Sequence, residues 1–207
     1  MYDRRIIKGL VYQDGEFKQT NVYINGEKIA LISPEIFEAK QSTDADGLFV
    51  APGIIDAHVH ISLHGAGGNL SCDDYRSGSI AAAYGGVTTF IDFLGEAATV
   101  AEMRDFFREK MEMTQGALVD YALHASAKEL KDSAGEMADQ AAAQGTPSIK
   151  LYTTYRPSGI YSSPQTVEAF IERSARGDVR IIIHAEDDAL INHENQDARN
   201  LAQNRPP

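Results

Sequence analysis

Residues 51–68 read "APGIIDAHVHISLHGAGG", an apolar run that ends on two histidines one residue apart and then dissolves into glycine. The texture of the chain changes at this stretch. Before it, residues 4–50 alternate short apolar runs with turn signals, as in "RIIKGLVY", "QDGE", "NVYI", "NGEK" and "IALI". Asn25-Gly26 between two β-rich runs predicts a two-residue hairpin turn centred on that pair, because type I′ turns need positive φ at both central positions. Residues 1–50 therefore read as a small β region. From residue 53 onward, strand-like runs alternate with helical ones. The strands expected are "GIIDAHVH" (53–60), "VTTFIDFL" (87–94), "LVDYALHA" (118–125), "SIKLYTT" (148–154) and "VRIIIHAE" (179–186), with helices near 73–84, 99–115, 134–144, 164–176 and 187–203. Ser163-Pro164 has the form of an N-cap followed by proline at N1. Asp73 and Asp74 put carboxylates at the positive end of the first helix.

Repeated β-then-α units imply parallel strands joined by right-handed crossovers, hence an open doubly wound sheet or a (β/α)8 barrel. Residues 53–207 hold five units of about 31 residues, and eight such units would occupy about 250, the usual length of such a barrel. No G-x-G-x-x-G follows the first strand, which weakens the dinucleotide-binding alternative. The fold expected is α/β: residues 51–207 form about five of the eight units of a TIM barrel, preceded by the small β domain of residues 1–50.

A chain of 207 residues that is 43% apolar and 24% charged can bury a globular core. Its net charge of −11 argues against a nucleic-acid or anionic membrane partner. The single cysteine, Cys72, excludes an internal disulfide framework, fits a reducing compartment and reads as a small buried hydrophobe. Lys8, Gln13 and Asp14 break the apolar pieces of the amino terminus, so no secretory signal is expected there, and no run approaches the ~20 apolar residues of a membrane span. A cytoplasmic location follows as the expectation.

Side chains on a strand alternate faces, so Asp56, His58 and His60 are expected on one face, at the carboxy-terminal end where barrel enzymes carry their chemistry. Two imidazoles at i and i+2 can reach a common metal; by themselves they fit equally a structural pair hydrogen-bonded at the barrel mouth. His184 closes the apolar run "VRIIIHAE". Lys150 lies between Ile149 and Leu151, where an unpaired ammonium is costly unless the side chain turns outward and snorkels.

The segments "PGIIDAHVH", "CDDY", "GGVTTFIDF", "SIKLYTTY" and "HAED", in that order and spacing, resemble the dihydropyrimidinase and hydantoinase family of the amidohydrolase superfamily over nearly the whole chain. The resemblance implies a two-metal centre, usually zinc, that hydrolyses a cyclic amide or ureide by way of a metal-bridging hydroxide. It implies that His58 and His60 bind the more buried metal, that Lys150, N-carboxylated by carbon dioxide, bridges both metals, and that His184 binds the second. Tyr155 matches the family tyrosine that hydrogen-bonds the substrate carbonyl oxygen and the oxyanion it becomes. Two dications ~3.6 Å apart repel by ~18 kcal/mol at an effective dielectric of ~20, so anions must bridge them, and carboxylation converts a cationic lysine into such an anion. Asp56 reads as a support for the H-x-H, and "HGAGG" as the loop that shapes the pocket. His64, His124 and His193 match no family ligand and read as structural or solvent-exposed.

The family's fourth histidine, on its sixth strand, and its essential aspartate, on its eighth, have no counterpart here. The family also completes its small β-sandwich with carboxy-terminal strands. The chain is therefore expected to be the amino-terminal part of a longer enzyme that forms a homo-oligomer, dimer or tetramer, when complete. Allantoinase and dihydroorotase share the H-x-H but lack a tyrosine five residues after the lysine. A metal-free scaffold relative is the alternative of a different class, although every ligand this segment can supply is present.

Overall fold

Alternating burial builds a mixed sheet from the first fifty residues. Strand β1 (Tyr2–Gln13) pairs antiparallel with β2 (Glu16–Asn25), which pairs antiparallel with β3 (Lys28–Ser33); β4 (Ala39–Asp44) and β5 (Phe49–Val50) run parallel to β1. The β2–β3 hairpin is present, with its turn one residue later than the sequence suggests. Asn25 pairs with Lys28, so the loop is Gly26-Glu27, with positive φ at Gly26 alone, the pattern of a turn with glycine at its first central position. Asn25 stays in the strand because its side-chain oxygen accepts from the Asp3 backbone N–H, 3.1 Å away on β1.

This computed structural model describes residues 1–63 and 69–193. They divide into two compact units, Met1–Gly53 and a second that begins at Ile54.

The second unit is a curled parallel sheet of five strands, β6 (Ile54–Asp56), β7 (Val87–Ala97), β8 (Asp120–Ala127), β9 (Ser148–Tyr152) and β10 (Arg180–His184), hydrogen-bonded in sequence order. Helices α1 (Tyr75–Tyr84), α2 (Val100–Met113), α3 (Ala134–Ala143) and α4 (Pro164–Ser174) connect them in turn. Sequential parallel order with a helix in each connection is the wall of a barrel rather than a doubly wound sheet, whose strand order reverses. The helix starts follow the chemistry read from the sequence. Asp74 and Ser133 close capping boxes with Ser77 and Glu136, and Ser163 caps α4 with Pro164 at N1.

Strand alternation sorts the side chains. The outer faces of β7, β8 and β9 bury Leu94, Leu123, Ile149 and Leu151 against Met103 of α2, Met137 of α3 and Phe170 of α4. A register shift between Phe93 and Glu96 bulges β7. Gly95 sits at that bulge, where a Cβ would lie 3.0 Å from the Phe106 ring on α2 and would push that ring outward.

Two further expectations change. The first barrel strand ends at Asp56 instead of residue 60, because β6 has a single partner and its ladder with β7 stops there. Cys72 is exposed rather than buried, since it lies in the loop before the α1 cap and packs on no core cluster. The last helix is seen over 188–193; the remainder of the expected 187–203 span, and the "HGAGG" loop with His64, lie outside the described residues. Among the described residues no helix is long and apolar enough to cross a membrane.

Candidate functional site

The inner face of the parallel sheet carries polar groups where its outer face carries core. Ile149 and Leu151 point outward into the core, so the alternation of β9 turns Lys150 inward, where it is 5% exposed. It does not snorkel. Its ammonium lies 5.9 Å from the Phe93 ring centroid and 5.4 Å from that of Tyr152. Among the described residues no carboxylate or hydrogen-bond acceptor pairs with it. Burial alone holds its pKa below the ordinary lysine value.

His58 and His60 lie just past β6, their ring centroids 5.2 Å apart, and both pack on Phe93, at 4.6 and 5.0 Å. Burial lowers the pKa of each; for His58 the next cause is the charge of Lys150, for His60 the charge of His58. Both imidazoles are thereby biased toward the neutral form that binds metal. Asp56 Oδ1 accepts from the His58 backbone N–H at 3.2 Å, a local turn immediately before the pair.

On β10, Ile182 and His184 alternate inward in register with Lys150 and Tyr152. The His184 ring stacks toward Tyr152 at 6.0 Å, and its Nε2 lies 3.2 Å from both the Tyr155 hydroxyl and Glu186 Oε2. Tyr155 adopts a left-handed backbone, φ +67°, a conformation that strains a non-glycine residue and that its surroundings must hold. They do: Asp188 accepts from the Arg156 backbone N–H at 3.3 Å and from its guanidinium at 3.1 Å, and Thr154 donates to the same carboxylate.

The five residues singled out by sequence thus share one face and one end of the sheet, linked through Phe93 and Tyr152. The donor chemistry suits divalent cations: two neutral-leaning imidazoles, a third beside a carboxylate, and between them a buried amine with no anionic partner among the described residues. Among the described residues no three His, Cys, Asp or Glu side chains converge to enclose a metal by themselves. Lys150 is the further side chain on this face, and as an ammonium it has no lone pair to offer a metal.

Two groups of residues surround the H-x-H: His124, read from the sequence as structural or solvent-exposed and found structural, and an outer set that the sequence reading did not single out. His124, buried on β8, packs on Phe93 at 4.7 Å and reaches across β7, its Nε2 lying 3.1 Å from the Ala57 carbonyl and its Nδ1 against Ser148 Oγ. On the outer side, buried Asp92 of β7 accepts from the Tyr75 hydroxyl and pairs with Lys110 of α2 at 3.0 Å, and Lys110 donates to the Ile61 carbonyl at 3.2 Å. Burial and then Asp92 push the Tyr75 hydroxyl pKa up, so it remains a donor. A buried aspartate in the apolar run "TTFIDF" was the available signal.

Residues 49–205 match the amidohydrolase family, and the chain belongs to it. It is 28% identical over 200 residues to a D-hydantoinase of Streptomyces coelicolor, covering 92% of this chain and 42% of that protein. It is 30% identical over 190 residues to a D-phenylhydantoinase of Escherichia coli O9:H4, covering 88% of this chain and 39% of the relative. The crystal structure of the D-hydantoinase from Bacillus sp. AR9 superposes with a TM-score of 0.87 at 25% identity, over 99% of this chain and 46% of that one. The chain therefore spans about two-fifths of the length of these curated relatives.

Proposed function

From that membership we propose that the complete protein is a metal-dependent hydrolase that opens the cyclic amide bond of dihydropyrimidines or 5-substituted hydantoins. The observation that carries the reading is Lys150, a buried amine without an anionic partner between a histidine pair and a third histidine. A neutral amine attacks carbon dioxide to form a carbamate and releases one proton, so the lysine becomes an anion with two oxygens. His58, His60, the carboxylated Lys150 and His184 would then hold two divalent cations, zinc by ligand type. When bound, the metal pair supplies Lewis acidity, which activates water and polarises the amide carbonyl.

The chain's own residues do the rest. Tyr155 leaves His184 for the substrate carbonyl oxygen and donates to it as negative charge develops there. Glu186 remains beside His184 to orient the ring. Residues 1–53 form, on this reading, part of a small β-sandwich whose other strands belong to the remainder of the protein.

Metal analysis of the complete protein after metal-replete expression is expected to find about two divalent ions per chain, and fewer than one refutes the proposal. Dihydrouracil and hydantoin are expected to be hydrolysed. Rapid turnover of allantoin or dihydroorotate, with none of these two, would assign the other branch of the family.

A further inference from the structure

The two histidines of the H-x-H lie beyond the last ladder residue of β6, so the ladder does not hold them. From residue 57 to residue 61 the backbone has three long-range anchors among the described residues. The Val59 N–H donates to the Ile91 carbonyl at 3.1 Å in the middle, and the other two are side chains: His124 on the Ala57 carbonyl and Lys110 on the Ile61 carbonyl. The two carbonyls that bracket His58–His60 are therefore each gripped by a side chain, buried His124 from inside the sheet and partly buried Lys110 from the helical layer outside it.

Each grip is itself fixed. A carbonyl only accepts, so the Nε2 of His124 carries the hydrogen, and the contact of its Nδ1 with the Ser148 hydroxyl fixes the ring angle from the other side. Phe93 packs on that ring as it does on His58 and His60. Lys110 is held by Asp92, 1% exposed, with the Tyr75 hydroxyl on the same carboxylate oxygen. A buried ion pair is not by itself an argument for stability. Here it fixes a charged donor on one backbone oxygen.

We infer that His124 and Lys110 are positioning residues: together they clamp residues 57–61 so that His58 and His60 present a preformed pair to metal. The inference rests on the metal-centre reading above. It gives His124 a role that touches no metal and no substrate, and it explains why a histidine stands on the inner face of β8 without being a ligand. Residues that orient metal ligands through such contacts typically change metal affinity 10- to 100-fold when removed.

The test is Co²⁺ binding to the complete protein, read by visible absorption and by the dissociation constant, at a temperature where melting curves show every variant folded. His124→Phe keeps the ring but loses both hydrogen bonds and is expected to bind ~10- to 100-fold more weakly. His124→Gln, whose amide N–H can still reach the Ala57 carbonyl, is expected to recover affinity to within about threefold, which a purely structural role would not require. The double variant Lys110→Met/Asp92→Asn replaces both buried charges by neutral groups and is expected to weaken binding to a similar extent as His124→Phe. If His124→Phe does not fold, Ser148→Ala, which frees the ring, carries the test with a several-fold loss. Amide hydrogen exchange of the metal-free protein is expected to rise at Val59 in each weakened variant. Wild-type affinity and an unchanged absorption band in His124→Phe would overturn the inference. Co²⁺ binding by the parent that is indifferent to His58→Ala would overturn the metal-centre reading as well.

Discussion

Replacing Lys150 by methionine is expected to move two properties of the complete protein in opposite directions. In the metal-free state Lys150 is 5% exposed, its ammonium has no anionic partner among the described residues, and its pKa is lowered by burial. Burying a polar group without a hydrogen bond costs about 1–3 kcal/mol on mutational scales. The two ring faces, at 5.9 and 5.4 Å, return little, because they stand near the ~6 Å limit of a cation–π contact. Methionine has a similar stem and no charge, so the variant should be more stable than the parent by about 1 kcal/mol when metal is chelated. On the proposed two-metal reading the order inverts with metal present, since the parent would gain the binding free energy of both cations and the variant would lack their shared ligand. Urea titrations with and without chelator, fitted at a common m-value, read both signs, and elemental analysis reads the metal content. A variant less stable than the parent without metal, or one that keeps two metals per chain, would show that the amine is structural and the carbamate argument is wrong.

Tyr155→Phe should retain full metal content while kcat falls by ~10²- to 10³-fold, the size of one oxyanion donor; unchanged kcat would assign the ring to packing. Phe93→Ala removes a ring that is 6% exposed and touches His58, His60 and His124, so a loss of ~3–5 kcal/mol in urea unfolding is expected, together with weaker metal binding. A loss below 1 kcal/mol would show that the ring is not the shared wall described here. Arg173 holds the carboxyl of Asp178 at about 2, below its ordinary 3.8, through two hydrogen bonds. The stability this pair contributes is complete above the unfolded-state value near 4 and is lost as pH falls through 2. Asp178→Asn should therefore flatten the acid limb of a stability-versus-pH curve, and identical limbs would refute the linkage.

The barrel wall was legible because its local signals agree. Apolar runs end in turn residues, and Ser163-Pro164 and Asp74 mark helix starts with side chains that do cap them. The direction of Lys150 stayed open in the sequence, and it is the burial of Ile149 and Leu151 in the outer core that turns it inward. What stayed hidden depends on partners distant in sequence. The period-two pattern of "GIIDAHVH" cannot tell where β7 ceases to supply hydrogen bonds, so the strand was read four residues too long. His124 matched no ligand and was set aside, because its contact with Ala57 spans 67 residues. Cys72 was read as buried from the habits of its residue type, and its loop gives it no core to enter.

The two edges of the parallel sheet lead to one more expectation. Among the described residues β6 pairs only with β7 and β10 only with β9, and parallel strands are built to be covered on both faces. Ile54 and Ile55, the apolar residues of β6, are 57% and 63% exposed, and Leu190 beyond β10 is 65% exposed. Open ladder groups beside exposed isoleucines are a template for pairing with another chain. Residues 1–207 expressed alone should therefore self-associate, with light scattering that rises with concentration. Ile54→Lys/Ile55→Lys should reduce it, since charge on an edge strand blocks edge-to-edge pairing. A complementary carboxy-terminal fragment, co-expressed, should suppress it further by covering both edges at once. The outcome turns on whether β6 and β10 are sticky in themselves: a monodisperse monomer of residues 1–207 that melts cooperatively would mean that the exposed isoleucines are tolerated and that the half-barrel is a self-sufficient unit.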